Sequence, residues 1–217
     1  MPLCLKPSRI VSLIPLALAW LGYFSPWLWP APAALRLSAY DLVEWMTFMQ
    51  SVRDGTYLIT RLDLLWPLAG IALLTGLAVN HWPNILATLF ALFAAGLILP
   101  AYPFILTAHT DPELRPQLML GIATGVAALI AAGVSAVRPA RARWLIPIIA
   151  LLSLVTTVRA FAITRQPIAD VLAHPAPIGY GFVLAVIGFG WLAIVPTTQF
   201  LTRLWRNGRM PQVQPRA

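Results

Sequence analysis

Long apolar runs separated by short polar segments form the main pattern along this chain. Six runs of about 20 residues are each long enough to cross the hydrocarbon core of a bilayer as a helix. They cover residues 10–29, 62–80, 85–106, 117–137, 144–163 and 178–200. The pattern predicts an all-α polytopic membrane protein with about six transmembrane helices. Little sequence remains for a soluble domain, so residues 1–217 are predicted to form a single membrane domain.

One polar segment, the loop at residues 30–61, is much longer than the others. Within it, residues 38–52 read SAYDLVEWMTFMQSV, and Ser38 followed by Asp41 resembles the start of a helix with a capping box. Leu42, Trp45, Met46 and Met49 fall on one side at helical spacing. Asp41 and Glu44 fall on the other side. We therefore expect an interfacial amphipathic helix lying along the membrane surface.

Composition supports a membrane location, and the distribution of charge predicts an orientation. Hydrophobic residues make up 59% of the chain, charged residues only 10%, and the mean hydropathy is +0.79. With the N-terminus cytoplasmic, nine of the 15 basic residues and none of the seven acidic residues face the cytoplasm. The positive-inside rule then predicts that both termini are cytoplasmic and that the long loop is outside. We expect a bacterial cytoplasmic (inner) membrane protein that does not bind nucleic acid.

Residue types that carry chemistry are sparse in the predicted spans. Cys4 is the single cysteine, which excludes an intramolecular disulfide. His81, His109 and His174 fall in loops or at span ends, so the sequence lacks the paired histidines that would ligate a haem within the membrane. Metal-ligand spacing and a serine nucleophile beside a base are missing as well. We predict no catalytic residue, no cofactor and no metal site.

Two ionisable residues lie near span ends rather than in loops. Asp63 opens the second span and Arg159 lies close to the end of the fifth. One interpretation is that each side chain reaches the interface or caps a neighbouring loop. The other is a functional ion pair between the spans.

Small residues predict where helices pack closely. Gly121 and Gly125 form a GxxxG pattern that continues with Ala128 and Ala132, and Gly188 lies in a glycine-rich part of the last span. Small side chains let helix backbones approach each other in lipid. The partner of this surface could be another span of the chain or another protein, and the internal contact is favoured.

The surface helix has two interpretations. It could simply bridge two spans, or its apolar side (Leu42, Trp45, Met46 and Met49) could be a docking face for a partner or a lid over a lipid-soluble ligand. Interfacial anchors are normally rich in Lys and Arg, whereas this helix is acidic. The acidic character favours contact with a protein.

One short stretch resembles a known group of proteins, together with the long apolar run that follows it. The stretch is Leu37–Trp45, with the sequence LSAYDLVEW. It resembles small multi-spanning accessory membrane subunits of phototrophic bacteria, of the type found in alternative complex III. That family implies a non-catalytic, cofactor-free subunit of a quinol-oxidising electron-transport complex. Its partners would be other integral-membrane subunits, with membrane lipids and quinone nearby. The alternative is a transporter or flippase for an uncharged or lipidic solute, because such a protein needs no buried charge and could use proline-broken helices.

Overall fold

The structure, a computed structural model, describes residues 7–29, 36–77 and 84–207. The elements in these ranges are α1 (Pro7–Phe24), β1 (Pro26–Leu28), β2 (Leu37–Ser38), α2 (Ala39–Phe48), α3 (Gln50–Arg53), α4 (Arg61–Leu77), α5 (Asn84–Ile98), α6 (Arg115–Val137), α7 (Pro139–Leu172) and α8 (Tyr180–Asn207). A short 3-10 helix, Phe104–Leu106, lies between α5 and α6. The predicted all-α class is confirmed. The Pro30 connector, the turn around His81 and the basic tail beyond Asn207 lie outside the described residues.

Helix α4 is the centre of the fold. Twelve of its 17 residues are buried, including Leu64, Leu68 and Ile71, and they occur on all sides of the helix. It packs against α1, α5, α6 and α7, while α8 lies between α1 and α7. Trp20 of α1 meets Phe90 of α5 edge to face, which closes the circle around α4. A helix that is apolar all round is stable only when it is surrounded in this way.

The two ends of the bundle differ in charge. Tyr23 near the end of α1 donates a hydrogen bond to the Leu64 carbonyl near the start of α4. At the opposite end, Ser135 of α6 donates to the Leu77 carbonyl of α4. All seven acidic residues lie at the first end, in α2, the start of α4, the loops and the end of α7. We call this end of the bundle the acidic end. At the opposite end, Arg138 lies between α6 and α7.

Only two helices in the described ranges, Arg115–Val137 and Trp144–Leu172, are long and apolar enough to cross a membrane by themselves. The sequence had predicted about six such helices. The apolar stretches within α1, α5 and α8 are shorter, at Leu13–Phe24, Ile85–Ile98 and Tyr180–Val195. The long apolar runs are therefore present as helices, but α1 and α5 end before their runs do.

Prolines explain where two of these helices stop. A proline makes the helical conformation unfavourable for the residue before it, and it has no backbone N–H to donate. Helix α1 ends at Phe24, just before Pro26, although the first span was predicted to reach residue 29. Helix α5 ends at Ile98 rather than at residue 106, because Pro100 and Pro103 follow at once.

Helix α7 is much longer than the predicted span 144–163. It contains 34 residues and ends where Ala173 adopts a left-handed conformation with φ 53°. Its last turns are polar on one side, but Phe161, Thr164 and Ile168 are buried at helical spacing. The prediction followed the apolar run and missed this amphipathic extension, because burial of one stripe is enough to keep the helix intact.

The predicted surface helix, residues 38–52, is two helices. Ser38 and Asp41 form the expected capping box at the start of α2. Met49 then adopts an extended backbone with ψ 125°, and the single turn of α3 follows. The start of the helix was therefore predicted correctly and its continuity was not.

Two short strands, which the sequence did not predict, join the start of the long loop to the α7–α8 connection. Strands β1 and β2 pair antiparallel, and Leu28 also bridges to Ile178. Gly179 donates its backbone N–H to the Trp27 carbonyl at 2.7 Å. A Cβ on Gly179 would lie 2.1 Å from the Pro26 carbonyl oxygen, so only glycine fits this approach.

Candidate functional site

Hydrogen bonds and ion pairs between different elements concentrate at the acidic end. Arg61, at the start of α4, pairs with Glu44 of α2 at 3.6 Å and donates to the Gln117 side-chain oxygen of α6 at 3.4 Å. Buried Gln117 in turn donates to the Ile98 carbonyl at 2.9 Å. Since the last carbonyls of a helix lack partners within it, Gln117 caps α5. One chain of contacts thus connects α2, α4, α6 and α5.

Asp63 and Arg159 form a second connection. Their side chains lie 3.0 Å apart and join α4 to α7. The other carboxylate oxygen of Asp63 accepts from the Thr60 backbone N–H and hydroxyl, both at 2.9 Å, which fixes the start of α4. Arg159 is 65% exposed, so the ion pair contributes little to stability by itself. Asp63 therefore both caps the start of α4 and forms an ion pair with α7.

Tyr57 ties the loop after α3 to the end of α7. Its hydroxyl donates a short hydrogen bond to one carboxylate oxygen of Asp170, and the Gln166 side chain donates to the other at 2.9 Å. The hydrogen bond to Asp170 raises the pKa of Tyr57. It holds the phenol in its protonated form, because the carboxylate accepts only from a neutral hydroxyl.

Tyr40 is a second tyrosine with an altered ionisation. Partial burial on α2 raises the pKa of Tyr40, and the neighbouring carboxylates of Glu44 and Asp41 raise it further. Both hydroxyls therefore stay protonated at neutral pH.

A groove of about 990 Å³ opens beside the end of α7. Its polar lining consists of Arg165, Gln166, Asp170 and His174. Apolar side chains complete it, from Phe161 at one end to Pro175 at the other. The Nε of Arg165 donates to the Ala176 carbonyl at 3.3 Å and holds the following loop against the helix. The groove combines apolar surface with one cation and one anion.

The predicted docking face of the surface helix is turned towards the interior. Leu42, Met46 and Met49 are buried, and Trp45 is half-buried. Helix α2 packs on α4, so these side chains fill the core of the chain itself. The hydrophobic drive that would hold a partner is thus satisfied internally in this conformation, and docking of a partner at this face stays a prediction.

The predicted packing residues lie at contacts between helices of the same chain. A Cβ on Gly121 would lie 2.5 Å from a methyl carbon of Leu99, and a Cβ on Gly125 would lie 3.8 Å from the Cβ of Ala95. The backbones of Ala128 and Ala132 lie within 4 Å of a Cβ built on Gly76 of α4. On α8, a Cβ on Gly188 would lie 2.6 Å from the backbone of α1. Of the two partners considered for the GxxxG surface, the structure shows the internal one.

Sequence reasoning missed the most connected residues of the acidic end. Gln117 was only the first residue of a predicted span, and Tyr57 was an unremarked loop residue. A glutamine at the start of an apolar run was the available signal, since a buried amide needs hydrogen-bond partners. No local pattern marks Tyr57, because its partner Asp170 lies 113 positions away.

Within the described residues, no group of three His, Cys, Asp or Glu side chains is close enough together to hold a metal ion. The acidic end thus combines hydrogen-bonding side chains with apolar surface. Comparisons with known proteins gave no match to a protein-family model, a curated protein or a solved structure.

Proposed function

We propose that the chain is a six-span integral membrane protein that serves as a non-catalytic subunit of a larger membrane complex. The six spans would be α1 and α4 to α8, with the acidic end outside and both termini cytoplasmic. The sequence resemblance alone suggests that the complex is a quinol-oxidising, electron-transport assembly of a bacterial inner membrane.

The distribution of apolar surface supports six spans. The outer helices expose large apolar side chains along most of their length, for example Leu89 and Phe93 of α5 and Ile130 of α6, each more than half exposed. In water such a continuous apolar surface would cause aggregation, whereas in lipid it is the solvated surface. Helix α4 is short, but the ring of helices shields it from lipid, so its length need not match the bilayer.

Open glycines on the outer helices are the observation that favours a subunit of a complex. A Cβ built on Gly96 of α5 or Gly133 of α6 would meet nothing within 4 Å. Both residues are exposed. Glycine in a membrane helix has little use against lipid, but it permits close approach of another helix. These positions are unused by the chain's own packing, so a neighbouring subunit can use them.

The test is purification of the tagged chain from its native membrane in mild detergent, with mass spectrometry of the proteins that accompany it. We expect a defined set of integral-membrane partners, including a haem protein with quinol-oxidising activity. Gly96→Leu and Gly133→Leu should release partners without lowering the melting temperature of the purified chain. Val155→Leu, at an exposed position of α7 that already carries a large side chain, is the control for added bulk.

A chain that purifies only as a monomer would overturn the proposal. Transport or lipid scrambling by the pure chain in liposomes would instead support the transporter alternative.

A further inference from the structure

We propose that the groove beside the end of α7 binds the headgroup of a zwitterionic membrane lipid that carries a phosphate and a primary ammonium group, as in phosphatidylethanolamine. The inference rests on the six-span arrangement proposed above, which places this groove at the outer membrane surface. Its test uses the purified chain alone, so it does not depend on a partner complex.

The position of the groove fits a lipid. The apolar run in α7 ends near residue 163, and the groove extends from Phe161 to residues beyond the end of the helix. Phe161 stacks on Phe182 of α8 with ring centroids 4.0 Å apart, so this end of the groove has a firm apolar wall. At about 1.5 Å per residue, Arg165 and Asp170 lie roughly 3–10 Å beyond residue 163 along the helix axis. That range corresponds to the headgroup layer.

Arg165 supplies the phosphate-binding group. Only its Nε is engaged, by the Ala176 carbonyl, and this bond anchors the guanidinium at the wall of the groove. Within the described parts of the chain, no carboxylate lies within 4.0 Å of its nitrogen atoms. A guanidinium with free donors and no paired anion can bind a phosphate strongly, because it can donate two parallel hydrogen bonds to the phosphate oxygens.

Asp170 supplies the group for the ammonium. Tyr57 and Gln166 donate one hydrogen bond to each of its oxygens and hold the carboxylate in place. Each oxygen has a second lone pair, so the carboxylate can accept further bonds from a primary ammonium. A quaternary ammonium has no N–H to donate.

The balance of charge in the groove selects the class of lipid. Arg165 and Asp170 give a formal charge of zero with His174 neutral. An anionic lipid would leave Asp170 facing a negative headgroup, whereas a zwitterion satisfies both side chains. Both charged side chains line the same groove, five residues apart on one helix and therefore about 7.5 Å apart along its axis, so a single headgroup can reach both.

The experiment is native mass spectrometry of the purified chain equilibrated with an equimolar mixture of phosphatidylethanolamine, phosphatidylcholine and phosphatidylglycerol. We expect phosphatidylethanolamine to be retained preferentially. Arg165→Gln and Asp170→Asn should each lower that retention by about five- to tenfold, as expected for loss of one charged hydrogen-bonding partner at a partly exposed site. Arg165→Lys should retain an intermediate amount of phosphatidylethanolamine, because lysine keeps the positive charge but cannot donate two parallel hydrogen bonds to the phosphate.

Arg115→Gln is the matched control, since Arg115 is an exposed arginine at the same end of the bundle and outside the groove. Melting temperatures of all variants confirm that they remain folded. Equal retention of the three lipids, preference for phosphatidylglycerol, or equal loss in Arg115→Gln would overturn the proposal. Displacement of the lipid by soluble phosphoethanolamine at the same concentration would overturn the assignment to a membrane lipid, because the acyl chains would then contribute nothing.

Discussion

Replacing Gly188 of α8 with alanine should separate α8 from α1. The added Cβ would lie 2.6 Å from both the Pro15 carbonyl oxygen and the Ala19 backbone nitrogen, and 3.1 Å from the Ala19 Cα. These are backbone atoms of a helix, so no side chain can rotate away to make room. The two helices must move apart by a substantial fraction of an ångström along their contact.

The magnitude follows from that geometry. Adding a methyl group to a well-packed interior typically costs about 1–3 kcal/mol, and a gap of about 0.5–1 Å forfeits a quarter to a half of each dispersion contact. Because α1 and α8 share an extensive interface, we expect a loss of about 2–3 kcal/mol in the free energy of unfolding.

Gly190→Ala is the matched control on the same helix, since its Cβ would meet nothing within 4 Å. Both variants gain the same helix propensity, so the difference between them isolates the packing cost. The assay is unfolding of the purified protein by SDS in mild detergent micelles, followed by fluorescence of its nine tryptophans. Stabilities that agree within about 0.5 kcal/mol, the usual effect of a change away from packed sites, would refute the tight α1–α8 contact.

Two further predictions concern the acidic end. Gln117→Leu should lower the free energy of unfolding by about 1–3 kcal/mol in the same SDS assay, because the α5 carbonyl that Gln117 caps is left buried without a donor. An unchanged stability in Gln117→Leu would show that water or another group satisfies that carbonyl. Tyr57 should release its proton only above its ordinary pKa of 10.0, so the stability that its bond to Asp170 contributes is present below pH 10 and is lost as pH rises through the raised value. The titration of Tyr57 is measured as the phenolate absorbance of the wild type minus that of Tyr57→Phe. Asp170→Asn should move the midpoint of this titration back towards 10.0. A wild-type midpoint at or below 10.0 would contradict the contact.

The sequence was informative where structure depends on neighbours along the chain. The capping box of Ser38 and Asp41, the helical class and the close-packing glycines all follow from local spacing. Segregation of the acidic residues to one end follows from counting charges in alternate loops.

The features that the sequence did not predict depend on contacts between positions far apart in the chain. For the apolar side of α2, the sequence favoured contact with a partner protein over a simple bridging role, and the structure packs it on α4, because amphipathicity shows that a face is covered and not what covers it. Helix α7 continues past its apolar run since Ile168 is buried in the core. Tyr57 and Asp170 could not be paired from sequence, and the groove beside them consists of a helix end and a loop whose path is set by Arg165.

The circle of helices around α4 has a consequence for synthesis. Its first member, α1, packs most extensively on its last, α8, and only slightly on α4. A nascent chain that ends at α7 therefore has a surface of α1 without its partner. The ring closes only when the final helix is in place, so a chain truncated before α8 keeps the packing surface of α1 uncovered.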